Sequence, residues 1–270
     1  MAHVTRRHVL AGSAAALVAA LHRAPRIGAQ PASAGPPAAP LIEDLVAANR
    51  ILADQGVLDG YGHVSVRHDR DPARFLMSRS LAPELVTAAD ILEYGLDSEP
   101  VDPRGRTSYL ERFIHGEIYR ARPDVQAVVH SHSPSVIPFG VTGVPLRPLF
   151  HMSAFLGAGA PVWDIRAAAG DTDMLVRTAA LGRALAQTLG SHAVVLMRGH
   201  GAVAVAPGLP LVVFRSVYTE VNARLQAQAM GLGGGVTYLS PEEAQRAEAS
   251  VGGTVVRPWE LWKRKLRRDP

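Results

Sequence analysis

Pro123 divides the chain where its pattern is most demanding. Before it, SYLERFIHGEIYRARPD places Leu110, Phe113, Ile114 and Ile118 at helical spacing on one face, and the proline ends the helix. After it, VQAVVHSHS is an apolar run that predicts a buried strand of about six residues, ending in two histidines one residue apart, His130 and His132. The same exchange of periods recurs along the chain. PLIEDLVAANRILADQGV predicts a helix through Leu41, Leu45, Ala48, Ile51 and Leu52. GHVSVRH alternates Val64 and Val66 with polar residues, a half-buried strand, with ARFLMS at 73–78 as its partner. VTAADILEYGLDSEPVD reads as a short capped helix from Thr87 or Asp90, then a strand. DTDMLVRTAALGRALAQTLG reads as one helix closed by Gly190, and AVVLMRGHGAVAVA as an apolar strand interrupted at Arg198-Gly199-His200-Gly201. PLVVFRSVYTEVNARLQAQAMGLGG is a long helix, and Ser240 with Pro241 opens another. Strands alternating with helices, with no internal repeat, predict one layered α/β domain.

The first 40 residues follow a different rule. TRRHVLAGSAAALVAALHRAP has paired arginines, Arg6 and Arg7, ahead of a short alanine-rich apolar stretch. Small and proline-rich residues follow, with Ala32-Ser33-Ala34 and Ile27-Gly28-Ala29 as candidate cleavage sites. This is the layout of a twin-arginine export signal, which predicts a periplasmic protein with residues 1–34 as signal. A disordered tail or an uncleaved anchor is the alternative. The remaining divisions are a linker at 35–40, a catalytic domain at 41–250 and a basic tail at 251–270. The signal holds Arg6, Arg7, Arg23 and Arg26 and no acidic residue, so without it 28 Lys and Arg against 24 Asp and Glu become 24 against 24. The basic WKRKLRRDP is then a solvated tail, and no nucleic-acid partner is expected. No stretch after residue 40 approaches the ~20 apolar residues of a membrane span. The chain contains no cysteine, so any metal must rest on His, Asp or Glu.

Residues i and i+2 of a strand share a face, so His130 and His132 can point into one site, a bite suited to one cation. Alone, the pair is more readily two structural histidines. His200 sits between two glycines at the break in a strand, where backbone can turn and another group approach closely. Glu111, on the helix feeding the His130 strand, is a carboxylate that can ligate a cation or hold a proton. On spacing alone it is more readily a solvated first-turn residue.

ERFIHGEIYRARPDVQAVVHSHS together with LMRGHGAVAV resembles the class II aldolase/adducin family over about residues 41 to 245. The resemblance implies a three-layer α/β/α sandwich, a homo-oligomer with tetramers among its forms, and one divalent ion, Zn2+ or Mn2+. It implies Glu111, His130, His132 and His200 as the ligands. The sugar-phosphate members hold phosphate with small hydroxyl and glycine residues. This chain has Tyr109-Leu110 before the glutamate, SRSLAPE at 78–84, and His63 where those aldolases carry asparagine. His151 stands near a tyrosine acid of the family. These departures resemble the branch of decarboxylases acting on hydroxylated aromatic acids. They imply a small-molecule carboxylate bound by His63, Ser78, Arg79 and Arg112, an arginine fork matching a carboxylate bidentately. Carbon dioxide would leave a metal-stabilised enolate, with Glu111 and His151 as the catalytic acid–base candidates. Tyr218 and Glu220 read as packing positions. The alternatives are an aldolase or epimerase on a non-phosphorylated hydroxy-carbonyl substrate, and a non-catalytic, adducin-like interaction module.

Overall fold

The central strand β4 (Ala127–Ser131) is buried along its whole length, with a strand on each side and a helical layer over each face. The structure is a computed structural model and describes residues 1–2 and 32–267. Residues 3–31 of the signal expected at 1–34 therefore lie outside the described residues. Among them, no helix is long and apolar enough to cross a membrane.

In chain order the elements are α1 (Ala39–Asp54), β1 (His63–Arg67), β2 (Arg74–Ser78), β3 (Ile91–Gly95), α2 (Arg112–Ala121) and β4. Then come α3 (Ile137–Val141), β5 (Val162–Trp163), α4 (Arg166–Ala169), α5 (Ala179–Leu189), β6 (Val194–Met197) and β7 (Gly201–Ala206). The chain closes with α6 (Leu209–Gly231), α7 (Pro241–Gly252) and α8 (Val256–Leu266). The seven strands form one mixed sheet in the order β3-β2-β1-β4-β7-β6-β5, antiparallel except for the β5–β6 pair.

Side-chain alternation assigns each strand residue to a face. Val64 and Val66 of β1, Ala127 and Val129 of β4, and Ala202, Ala204 and Ala206 of β7 pack with α1, α6 and α8. Val128 of β4, Val195 and Met197 of β6, and Phe75 and Met77 of β2 pack against Ile114 and Ile118 of α2 and Leu185 and Leu189 of α5. The result is three layers, α/β/α. Because helices cover both faces, β1 is buried throughout rather than half-buried.

Three elements differ from the sequence pattern. Residues 171–178 do not join α5: the helix starts at Ala179, with the Thr178 hydroxyl accepting from the Leu181 N–H. The apolar stretch around His200 is not one strand but the β6–β7 hairpin, with His200 in its turn. The basic C-terminal stretch is α8 rather than a solvated tail. Trp259 and Trp262 are buried in the core, and Lys263 reaches Asp44 of α1 at 2.9 Å. Its apolar face is buried while Arg257, Glu260, Arg264 and Lys265 stay exposed. At the other end of the described chain, Ser33 and Ala34 hydrogen-bond the Glu93 carboxylate on edge strand β3 at 2.5 and 2.9 Å.

Candidate metal centre and cleft

β1 and β4 pair with His63 directly opposite His130, so both imidazoles project toward α2 on the same face. His132 lies one residue beyond the end of β4, keeping that face. His200 arrives from the β6–β7 turn, and its flanking glycines make this possible. Gly199 adopts φ 63°, a conformation that disfavours residues with a Cβ. At Gly201 a Cβ would lie 2.0 Å from the Ser131 carbonyl oxygen, so only glycine lets the two strands close. Glu111 stands at the N-cap of α2, buried rather than solvated.

These four side chains converge. His130 Nε2 is 3.2 Å from His132 Nε2, which is 3.0 Å from His200 Nε2. Glu111 Oε2 is 3.4 Å from Nε2 of both His130 and His200. All four atoms lie within 4.8 Å of one another. Backbone groups set the ring states. His130 Nδ1–H donates to the Ala202 carbonyl at 3.2 Å and His200 Nδ1–H to that of Met174 at 3.1 Å. A neutral imidazole carries one proton, so both Nε2 atoms present lone pairs inward. The Val176 N–H donates to Glu111 Oε1 at 2.9 Å, leaving Oε2 facing the histidines. Lone-pair-bearing atoms this close repel one another unless a proton or a cation lies among them. Three imidazoles and a carboxylate are a donor set that fits Zn2+ or Mn2+, so this cluster could hold one divalent ion.

Electrostatics agree. Burial raises the Glu111 carboxyl, but the facing His130 and His200 rings outweigh it and hold it well below the usual carboxylate range. Burial, then the neighbouring His130 and His200, lowers His132 to about 4. His132 is therefore in the neutral form that binds metal.

The cluster opens onto a cleft of about 330 Å³, walled by Tyr61, His63, Leu81, Tyr109, Glu111 and His132 among others. The Tyr109 hydroxyl donates to the Leu81 carbonyl and lies 3.3 Å from Ser78 Oγ. It thereby fixes the loop after β2 as a cleft wall.

Several expected substrate groups lie elsewhere. Arg79 is not on the cleft wall: its Nε pairs with Asp90 at 2.6 Å. Arg112 is also spent structurally, donating to the Ser98 carbonyl at 2.7 Å and to Glu99 at 3.1 Å while stacking on Phe113. Ser78 is buried behind Tyr109 and supports it rather than lining the cleft. His151, itself exposed, opens a largely buried 3-10 turn beside a cavity of about 30 Å³ against α6 and α7, away from its own chain's cleft. Tyr218 packs on Phe214, and Glu220 accepts from the Ser135 N–H at 3.1 Å.

Other contributors are absent from the sequence reading. The backbone of Met174 and Val176, in the segment expected to be helical, holds His200 and Glu111. His115, Ser65 and Tyr119 form a buried polar set behind His63. His115 lies four residues after Glu111, a helical spacing that could have placed it on the same side. Burial, then the charge of His130, lowers it to about 3, and burial likewise holds His63 well below its ordinary range.

Comparison with known proteins bears on this geometry. A family model described as Class II Aldolase and Adducin N-terminal domain matches residues 43–227. The chain is 39% identical over 253 residues to Decarboxylase tropJ of Talaromyces stipitatus, covering 85% of this chain and 95% of that one. It is 30% identical to 3,4-dihydroxyphthalate decarboxylase of Arthrobacter keyseri, over 84% of this chain and 92% of that one. Among solved structures, the L-fuculose 1-phosphate aldolase from Glaciozyma antarctica superposes with a TM-score of 0.71 at 24% identity, covering 87% of this chain and 95% of that one. That likeness is one of fold.

Proposed function

The chain belongs to the class II aldolase and adducin family and is a lyase, and from this premise we propose that it decarboxylates a hydroxylated aromatic carboxylic acid, with Glu111, His130, His132 and His200 holding one divalent metal ion. The observation that carries the reading is the convergence of four acceptor atoms at the wall of a cleft whose other walls include two tyrosines. Relatives named as decarboxylases support the choice of reaction.

A divalent ion in this cluster supplies Lewis acidity toward an oxygen next to the bond that releases carbon dioxide. The protein's own groups prepare the rest. Tyr61 and Tyr109 offer flat apolar faces to an aromatic ring. The carbonyls of Ala202 and Met174 hold His130 and His200 with Nε2 inward. Glu111 is the only carboxylate among the described residues lining the cleft, and a water held by it is the source we assign to the proton that replaces the lost carboxyl. His63 lines the same cleft and binds the substrate. Arg79 and Arg112 have no part in this reading, since both are engaged with protein groups.

Two further proposals keep their sequence basis. Arg6 and Arg7 support export to the periplasm by a twin-arginine signal. A homo-oligomer is supported by Leu110, more than half exposed at the cleft rim, and by His151, exposed and available to a second copy. Light scattering of the purified protein tests the second.

The deciding experiment joins metal analysis of the purified protein to a carbon-dioxide release screen over hydroxylated aromatic acids. One metal per chain with carbon dioxide released is the expected result. Metal without carbon dioxide would favour an aldolase or epimerase on an unphosphorylated hydroxy-carbonyl. Protein that binds no added Zn2+ or Mn2+ would overturn the reading in favour of a binding module.

A further inference from the structure

Behind the cleft, four side chains join into one hydrogen-bonded chain that neither metal binding nor packing requires. His63 Nδ1 lies 2.6 Å from His115 Nε2, His115 Nδ1 lies 2.6 Å from Ser65 Oγ, and Ser65 Oγ lies 2.8 Å from the Tyr119 hydroxyl. Ser65 and His115 are fully buried and Tyr119 nearly so.

Each link holds one proton, so the chain must run in one of two directions. Among the described residues, Ser65 Oγ is the only acceptor within reach of the Tyr119 O–H. With His115 donating from Nδ1 to Ser65, either the phenol proton or, if Tyr119 donates to Ser65, the serine proton is left without an acceptor in the core, an outcome buried donors avoid. Running the other way satisfies every group. Tyr119 donates to Ser65, Ser65 donates to His115 Nδ1, and His115 Nε2–H donates to His63 Nδ1. The His63 proton is then on Nε2, which has no protein partner among the described residues and belongs to a ring lining the cleft.

We infer that the Tyr119–Ser65–His115 chain locks His63 in its neutral Nε2–H form, and that His63 thereby recognises a carboxylate or phenolic oxygen of the substrate as a hydrogen-bond donor. Tyr119 is a positioning residue that acts through the chain. The role in recognition rests on the cleft being the site proposed above; the locked form does not.

The test uses zinc-loaded protein labelled with 15N-histidine, with His63 assigned by its loss in His63→Gln. Two-bond proton–nitrogen spectra should show an unprotonated Nδ1 and a protonated Nε2 at His63. In Tyr119→Phe the terminal donor is gone, and the spectrum should become a mixture of both forms. Calorimetry with 2,3-dihydroxybenzoate reads recognition. His63→Phe should weaken binding about 10- to 100-fold, the range of a lost hydrogen bond to a charged oxygen, and His63→Gln, which keeps an N–H donor, about 5-fold or less. A protonated Nδ1 in the unsubstituted protein overturns the inference, and an unchanged His63 signal in Tyr119→Phe overturns the positioning role. Equal losses for Gln and Phe overturn the donor role. No binding by the unsubstituted protein overturns the recognition role, while the carbon-dioxide screen judges the proposed function and the nitrogen spectra judge the lock on their own.

Discussion

The two faces of the sheet are made by alternate residues of the same strands, yet they differ in kind. On the α1/α6/α8 face, β1, β4 and β7 present Val64, Val66, Ala127, Val129, Ala202 and Ala204, an apolar surface with no titratable group. On the α2 face, the same β1 and β4 present His63, Ser65 and His130, met by His115 and Tyr119 from α2. Period 2 thus separates a stabilising surface from a reactive one within a single backbone. Neighbouring residues should then fail in different ways.

The sharpest contrast is His130 against Val129. His130→Ala should reduce carbon-dioxide release about a thousandfold or more, with bound metal lost, because Lewis-acid chemistry contributes several kcal/mol. Metal analysis beside an activity assay checks it, and retained metal would break the comparison. Val129→Ala should instead destabilise the fold by about 2–3 kcal/mol through lost burial and a cavity, with metal content unchanged. Urea unfolding measures that cost.

A third outcome concerns acid. The folded His115 has its pKa lowered to about 3 from an ordinary 6.5. As pH falls below 6.5 the unfolded chain takes up this proton first, so folded stability declines until about pH 3, by up to ~1.4 kcal/mol per pH unit. His115→Gln cannot titrate there. The stability difference between pH 7 and pH 5 should therefore shrink by about 2 kcal/mol in that variant. Urea unfolding at both pH values decides it, the protonation of the metal cluster being common to both proteins. The smallest expected effect is at Arg79, whose partner is Asp90. Arg79→Ala should shift 2,3-dihydroxybenzoate affinity less than about 2-fold and stability by about 1 kcal/mol or less. A large loss of affinity would place Arg79 back in the cleft.

Much of the fold is legible because its signals are local. The valine alternation of β1, the Pro123 boundary of α2, and the Ser240 cap, which forms a reciprocal capping box with Glu243, each follow from residues close in sequence. Residues 171–178 mislead for the same reason. Their local pattern continues that of α5, but two of their backbone groups are committed to His200 and Glu111, far away in the chain. In α8 the charges dominate the local reading, while Trp259 and Trp262 find burial only when α1 and α6 are in place.

For the site, the residues alone determined the type and spacing of the donors: His130 and His132 two apart on a strand, and His200 between glycines. The tertiary structure decided which charged groups remain available. Arg79 and Arg112 suit a carboxylate by chemistry, but Asp90, Glu99 and the Ser98 carbonyl occupy them. Glu111 reads as a solvated helix residue until α2 docks and the Val176 N–H turns its carboxylate toward the histidines. Spacing along a chain specifies which face a side chain takes, because backbone geometry is local. Which partner it meets depends on contacts between distant segments, and those exist only in the folded chain.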